Sequence, residues 1–230
     1  MNDVTPPSGP RDFFALIRSG DTAGVATALA ADRSLLDRRN ERGHSPVLIA
    51  QYQRQREVLA ILLEAGPELD IFDASSVGRT GRVAECLDRD PGLVDAYSPD
   101  GFFPLGLAAF FAHPETVGLL LARGANVHTV ARNPMRLQAL HAAVAGGSLE
   151  AVTLLTDAGA AVNVQQQGGW APLHEAVKRN DFALARHLLA RGADPRLQSD
   201  DGTSAIGLAA NKGHRDLLKL LKAGPGDRDS

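Results

Sequence analysis

Apolar positions along this chain fall in short stripes separated by regularly placed stops. The stretch Ala171–Asp194 shows the pattern plainly. Leu173, Ala176 and Val177 share one face at helical spacing, Asn180-Asp181 interrupts, and Leu184, Leu188 and Leu189 form a second stripe. Pro172 suits the first position of a helix, where its missing N–H is not needed. Gly192 stands where a helix C-terminus favours positive φ. The spacing predicts two short helices, neither long enough to persist alone in water. Their apolar faces need a neighbour, and the chain supplies one by repetition.

The closing glycine recurs at Gly66, Gly124, Gly159, Gly192 and Gly224, and the helix-opening position at Pro46, Pro104, Ala139, Pro172 and Ala205, whose last two steps are both 33 residues. Seven helical pairs are predicted. The first spans residues 11–37, the second 43–66 and the third 70–95. The fourth repeats the second, and the last three cover about 130–163, 164–195 and 196–224. The first half is a duplicated two-repeat unit. Phe14 maps to Phe72, Val25 to Val83, Leu29 to Leu87, Pro46 to Pro104 and Glu57 to Glu115, always 58 residues apart. Before Ala139 two residues are inserted, which lengthens the loop Arg132–Arg136.

The run Pro172-Leu173-His174-x-Ala176, followed by Leu188-Leu189-Ala190-Arg191-Gly192-Ala193-Asp194, resembles the ankyrin repeat, with its period of roughly 33 residues. The resemblance covers about Arg11 to Gly224, nearly the whole chain. It implies an all-α fold, an ankyrin-type solenoid of about seven helix-pair repeats, in which the first and third lack the usual finger loop. In that family the histidine of the motif ties adjacent fingers by hydrogen bonds. Here its slot holds Leu48, Gly106, His141, His174 and Gly207, so two of five repeats keep it.

Composition agrees with close-packed short helices: 44% of residues are apolar, mostly Leu, Ala and Val, and only 5% are aromatic. A net charge of −3 argues against a general nucleic-acid binder, which needs a basic footprint. One cysteine excludes an intramolecular disulfide framework and fits a reducing compartment. No apolar run approaches the roughly 18 residues that span a bilayer, and the first residues lack the build of a secretory signal. A cytoplasmic protein is expected, with a disordered leader over 1–10, one array over 11–224 and a disordered tail over 225–230. The excess of Arg over Lys and the abundance of Ala suggest a GC-rich bacterial source.

Catalytic chemistry finds little support. The seven histidines lack metal-ligand spacing, and His141 and His174 are explained by the repeat. Cys86 occupies the register of Leu62, Leu120, Leu155, Leu188 and Leu220, which predicts a core thiol rather than a nucleophile. The Val77–Arg82 segment superficially suggests a phosphate loop but lacks the Gly-Lys-Ser/Thr ending and a preceding strand. No enzyme activity, metal or cofactor is expected.

What remains is surface. The resemblance implies that a partner protein is gripped by the finger tips and by the inner face of the first helix of each pair. The inner-face slots hold Ile49, Tyr52 and Gln53 in the second repeat, Asp73, Ser76 and Val77 in the third, Leu107, Phe110 and Phe111 in the fourth, and Ala142, Ala145 and Gly146 in the fifth. They hold Glu175, Lys178 and Arg179 in the sixth and Leu208, Asn211 and Lys212 in the seventh. Repeats two to four thus offer an apolar, aromatic floor and the last two a basic one.

Tips add Phe102 and Trp170, and the long loop adds Arg132, Met135 and Arg136. Aromatic residues and arginine dominate binding hot spots, so Tyr52, Phe102, Phe110, Phe111, Trp170, Lys178, Arg179 and the loop residues are the candidate contacts. The competing reading has Phe110 and Phe111 filling a joint between repeats. The expected function is non-catalytic recognition by a monomer of one or more proteins, with no nucleic-acid or membrane partner. Alternatives are a structural spacer or a homo-oligomer using its aromatic floor, and an enzyme or ligand binder with His141, His174 or Glu175 in the groove.

Overall fold

A computed structural model describes residues 12–223. The leader expected over 1–10, the tail over 225–230 and Gly224 lie outside the described residues. Contacts group the chain into two compact units, Met1–Leu69 and Asp70–Ser230.

In the first unit α1 (Phe13–Ser19) and α2 (Thr22–Ala31) lead into a 3-10 turn (Arg33–Asp37), followed by α3 (Pro46–Tyr52) and α4 (Arg56–Glu64). Short polar residues set three of the starts: Asp12 accepts from Phe14 N, Asp21 from Gly24 N and Ser45 from Leu48 N. Helix α1 packs on α3 and α2 on α4. Ile17, Val25, Leu48 and Leu62 are almost fully buried between them. Such burial holds helices too short to be stable alone.

The second unit continues the scheme. Its helices are α5 (Ile71–Ser76), α6 (Thr80–Arg89), α7 (Pro104–Phe110), α8 (Pro114–Ala122), α9 (Ala139–Gly146), α10 (Leu149–Asp157), α11 (Pro172–Lys178), α12 (Phe182–Ala190), α13 (Ala205–Lys212) and α14 (Arg215–Ala223). The 3-10 turns Pro91–Asp95 and Gln167–Gly169 complete it. Helices α5, α7, α9, α11 and α13 pack in series as one layer, and α6, α8, α10, α12 and α14 as the other. Among the described residues there is no strand, only two isolated antiparallel bridges, Val130 with Gln138 and Gln198 with Ser204. The fold is the all-α stack of helix pairs expected.

Helix starts agree closely with the repeat. Pro46, Pro104, Ala139, Pro172 and Ala205 each open a helix. The duplication is equally literal, since α5, α6, α7 and α8 each begin 58 residues after α1, α2, α3 and α4. The two fingerless repeats end in matching 3-10 turns instead. His141 and His174 act as the resemblance implies. Each accepts on Nδ1 from a backbone N–H three residues earlier (Gln138 at 3.2 Å, Ala171 at 3.1 Å), and each Nε2 lies 3.1 Å from a carbonyl of the next finger, Val164 O and Thr203 O.

One part of the expected surface is corrected. The slot after the histidine position is not solvent-facing in three repeats, where Ile49, Leu107 and Ala142 are 7%, 2% and 1% exposed. Asp73 and Ser76 are buried as well. For Leu107 and Ala142 the cause is the close approach of α7 to α9. A Cβ added to Gly146 would run into the carbonyl oxygen of Phe110, so only glycine lets the two helix ends meet. The accessible part of this face is therefore the helix ends, not their whole length.

Candidate functional site

The ends of α7, α9 and α11 form a continuous edge. Phe110 closes α7 with 39% of its surface exposed, and half-buried Phe111 follows. Their rings meet edge to face, centroids 5.0 Å apart at 83°. Backbone contact carries the edge on to Gly146 at the end of α9. It then reaches Arg179, which donates from Nη1 to Ala145 O at 2.8 Å. Lys178, the last residue of α11, reaches back to Glu175 Oε2 at 3.1 Å. An aromatic pair, a small-residue step and a basic pair thus lie in one line. The basic end is partly used internally: Arg179 caps the neighbouring helix, and Lys178 is half neutralised.

The finger tips form a second row, joined by backbone hydrogen bonds. Arg132 N donates to Gly101 O at 2.8 Å, Gln167 N to Met135 O at 3.2 Å, and Asp200 N to Gly168 O at 3.0 Å. These bonds set Phe102, Met135 and Trp170 on successive tips. Phe102 is half-buried while the adjacent Phe103 is fully buried, so the chain turns one ring in and leaves the other at the surface. Met135 is 47% exposed. Trp170 is half-buried with its ring edge-on to His174, centroids 5.4 Å apart. Arg132 is exposed, but its guanidinium lies 3.9 Å over the Tyr97 ring, which itself holds Val130 O through its hydroxyl at 3.1 Å. Arg136 is exposed at the turn, with φ of 50°.

Tyr52 belongs to the first unit. It closes α3, half-buried, with its ring edge against His44 at 5.8 Å. Beside it lie Arg38, Arg39 and Arg42, which helical spacing does not single out. The only signal for them in sequence is the local run Arg-Arg-Asn-Glu-Arg in a loop.

The residues considered for chemistry are otherwise occupied. Cys86 is 7% exposed, and burial pushes its thiol up, against a smaller opposing effect of Arg82 and Arg89. Gly78 of the Val77–Arg82 segment is the turn between α5 and α6, with no strand before it. Among the described residues no group of three or more His, Cys, Asp or Glu could hold a metal ion. Burial lowers His141 to about 4, only partly offset by its bonds to backbone carbonyls.

Comparison with known proteins agrees with this geometry. The model for ankyrin repeats (three copies) matches residues 71–166 and 105–198, together more than half of the chain. The chain belongs to the ankyrin repeat family. It is 29% identical to the nuclear factor NF-kappa-B p105 subunit of Gallus gallus over 94% of this chain, but that match takes in only 24% of the p105 subunit. It is 38% identical to protein phosphatase 1 regulatory subunit 27 of Mus musculus over 47% of this chain and 69% of that protein. It is also 29% identical to the B-cell lymphoma 3 protein homolog of Mus musculus over 84% of this chain and 46% of that protein. These relatives are animal proteins and lend the expected bacterial source no support. No helix of the described ankyrin repeats is long and apolar enough to cross a membrane.

Proposed function

We propose that this ankyrin repeat chain is a non-catalytic recognition module that binds a partner protein as a stoichiometric regulator. The contact runs along the edge of α7, α9 and α11 and the neighbouring finger tips. The observation that carries this reading is Phe110: a large ring left 39% exposed on backbone that packs closely against Gly146. A preformed surface loses little ordering entropy on binding. An exposed aromatic at its centre is the kind of anchor that hot spots use. Phe111, Lys178 and Arg179 flank it along the edge, and Phe102, Arg132, Met135, Arg136 and Trp170 supply the tips. One relative is, by name, a regulatory subunit of a phosphatase, which suits a regulator. The proposed setting is the cytoplasm, where the single free thiol of Cys86 stays reduced.

The test is affinity capture from the source cell, followed by titration of any stoichiometric protein with wild type and Phe110→Ala. The expected loss on truncating such an anchor is about 2 kcal/mol, roughly thirtyfold in affinity, with folding stability within about 1 kcal/mol of wild type. A variant that unfolds readily while its folded fraction binds normally would make Phe110 a packing residue. Concentration-dependent self-association abolished by Phe110→Ala would instead make the edge a homo-oligomer contact.

A further inference from the structure

A second surface lies in the first unit, on residues that the proposed edge does not use. A half-open cavity of about 680 Å³ runs between the ends of α1 and α3 and the loop after the first 3-10 turn, lined by residues between Asp12 and Gln53. Its floor is the half-buried ring of Tyr52, beside the largely covered side chains of Phe14 and Ile49. Among the described residues its walls carry Arg18, Arg38, Arg39 and Arg42 against two acids, Asp12 and Glu41. Residues 12–69 contain seven arginines and eight acids, so four of the seven arginines but two of the eight acids face this groove. In a chain of net charge −3, that is a local concentration of positive charge.

The arginine loop is built rather than loose. Asn40 Oδ1 accepts from the backbone N–H of both Arg42 and His44 at 2.9 Å, and Asn40 N and Gly43 N close the turn on His44 O and Asn40 O. The edge contact of His44 with Tyr52 then sets the loop against the floor. Neutralisation from within is incomplete. Arg18 is paired with Asp12 at 3.0 Å, whereas Arg38 meets Asp32 at only 3.8 Å, with both side chains about half exposed. Arg42 commits its backbone and, among the described residues, makes no side-chain ion pair.

We infer that this groove receives an acidic, extended segment of a protein partner, its carboxylates meeting Arg38 and Arg42 while an apolar or aromatic side chain lies on Tyr52. Charge complementarity selects the acidic chain. The planar guanidinium pairs carboxylates in bidentate fashion, and its weak hydration makes that pairing less costly than for lysine. The half-buried Tyr52 ring, the accessible part of that floor, favours a peptide side chain over a nucleic-acid phosphate backbone. The inference does not depend on the proposed edge.

The test selects random phage-displayed peptides on the full chain. Selected peptides are then synthesised and titrated by fluorescence anisotropy, with a single-stranded oligonucleotide as a parallel probe. The expected result is enrichment of Asp and Glu around an aromatic or aliphatic residue, with binding that weakens as salt rises. R38S/R42S, which alters exposed side chains, should weaken binding about tenfold or more at an unchanged melting temperature. F110S should leave peptide binding unchanged, so that failure here and failure of the edge are told apart. Peptides without acidic bias, peptides that bind R38S/R42S as tightly as wild type, or saturable binding of the oligonucleotide alone would each overturn the inference.

Discussion

Arg179, on the turn after α11, donates from Nη1 to the carbonyl oxygen of Ala145, 34 residues earlier, at 2.8 Å. The bond satisfies a carbonyl that the end of α9 leaves without an intrahelical partner. Two other repeats solve the same problem with different chemistry. His113 Nε2 lies 3.0 Å from Ser76 O at the end of α5, and Gln55 Nε2 donates to Arg18 O near the end of α1 at 3.0 Å. In all three the turn of the earlier repeat is a glycine, Gly147, Gly78 or Gly20, and a Cβ there would strike the reaching side chain. Arg179 thus serves the fold as well as the proposed contact edge.

Arg179→Ala is expected to lower stability by about 1 kcal/mol, the net worth of a partly exposed hydrogen bond. Gly147→Ala should cost at least as much, because φ is +79° and the new methyl would displace the guanidinium. Urea unfolding of both variants is the check. Wild-type midpoints in both would show that the Arg179–Ala145 bond does not hold the turn.

Cys86 should react slowly with a thiol reagent at neutral pH, because it is 7% exposed and burial raises its pKa, leaving little thiolate. Adding denaturant should accelerate labelling sharply. Fast labelling of native protein would mean that the α6 face opens far more readily than its packing implies.

Acid should destabilise the protein through His141 in a defined window. Its neutral imidazole accepts from Gln138 N on Nδ1 and donates from Nε2 to Val164 O, so both nitrogens are used without a second proton. The unfolded chain takes up that proton near 6.5, and the folded chain refuses it until about 4. Stability from this group is therefore complete above about pH 6.5, falls as the pH drops toward 4, and levels off below. The full loss is on the order of 3 kcal/mol. Burial lowers His113 and His187 too, so their contributions have the same sign. Urea midpoints between pH 7 and 4, compared with those of His141→Gln, isolate the contribution. Equal slopes in the two proteins would reject it.

Removing residues from 196 onward should act beyond the cut. Leu217 and Leu221 of α14 and Ala205 and Ala209 of α13 are almost fully buried, and these helices pack on α12 and α11. The shortened chain would expose those faces, and repeat stacks depend on neighbour interfaces. Aggregation or a clearly lower melting temperature is expected. A soluble product with the wild-type melting temperature would show that α13 and α14 contribute no such interface.

The arrangement of helices was legible in the sequence because it depends on local, periodic signals. Proline or alanine at the opening slot, a stripe of Leu, Val and Ala, and a closing glycine mark each helix, and the 58-residue duplication repeats them in register. The same register placed Cys86 in the core, which needs no more than knowing which face looks inward, while the ties of His141 and His174 between fingers were implied by the resemblance to the ankyrin repeat.

Tertiary structure decided which parts of that inward and outward division stay accessible. Ile49, Leu107 and Ala142 stand in slots that the repeat leaves on the inner face, yet they are buried. For Leu107 and Ala142 the cause is the approach of the neighbouring repeat: Gly146, 36 positions after the Phe110 carbonyl that it meets, lets α9 close onto α7. Arg179 and Arg132 stand in the sequence as candidate partner contacts, but their reach also takes them to the Ala145 carbonyl and the Tyr97 ring. The arginines of residues 38–42 show the reverse. As a string they look like an ordinary charged loop, and only the folding of that loop beside Phe14, Ile49 and Tyr52 gathers them around the half-buried Tyr52 ring. A one-dimensional period records the direction in which a side chain leaves its helix. It does not record how closely the neighbouring repeat approaches or where a long flexible side chain ends, and those distances determine the surface.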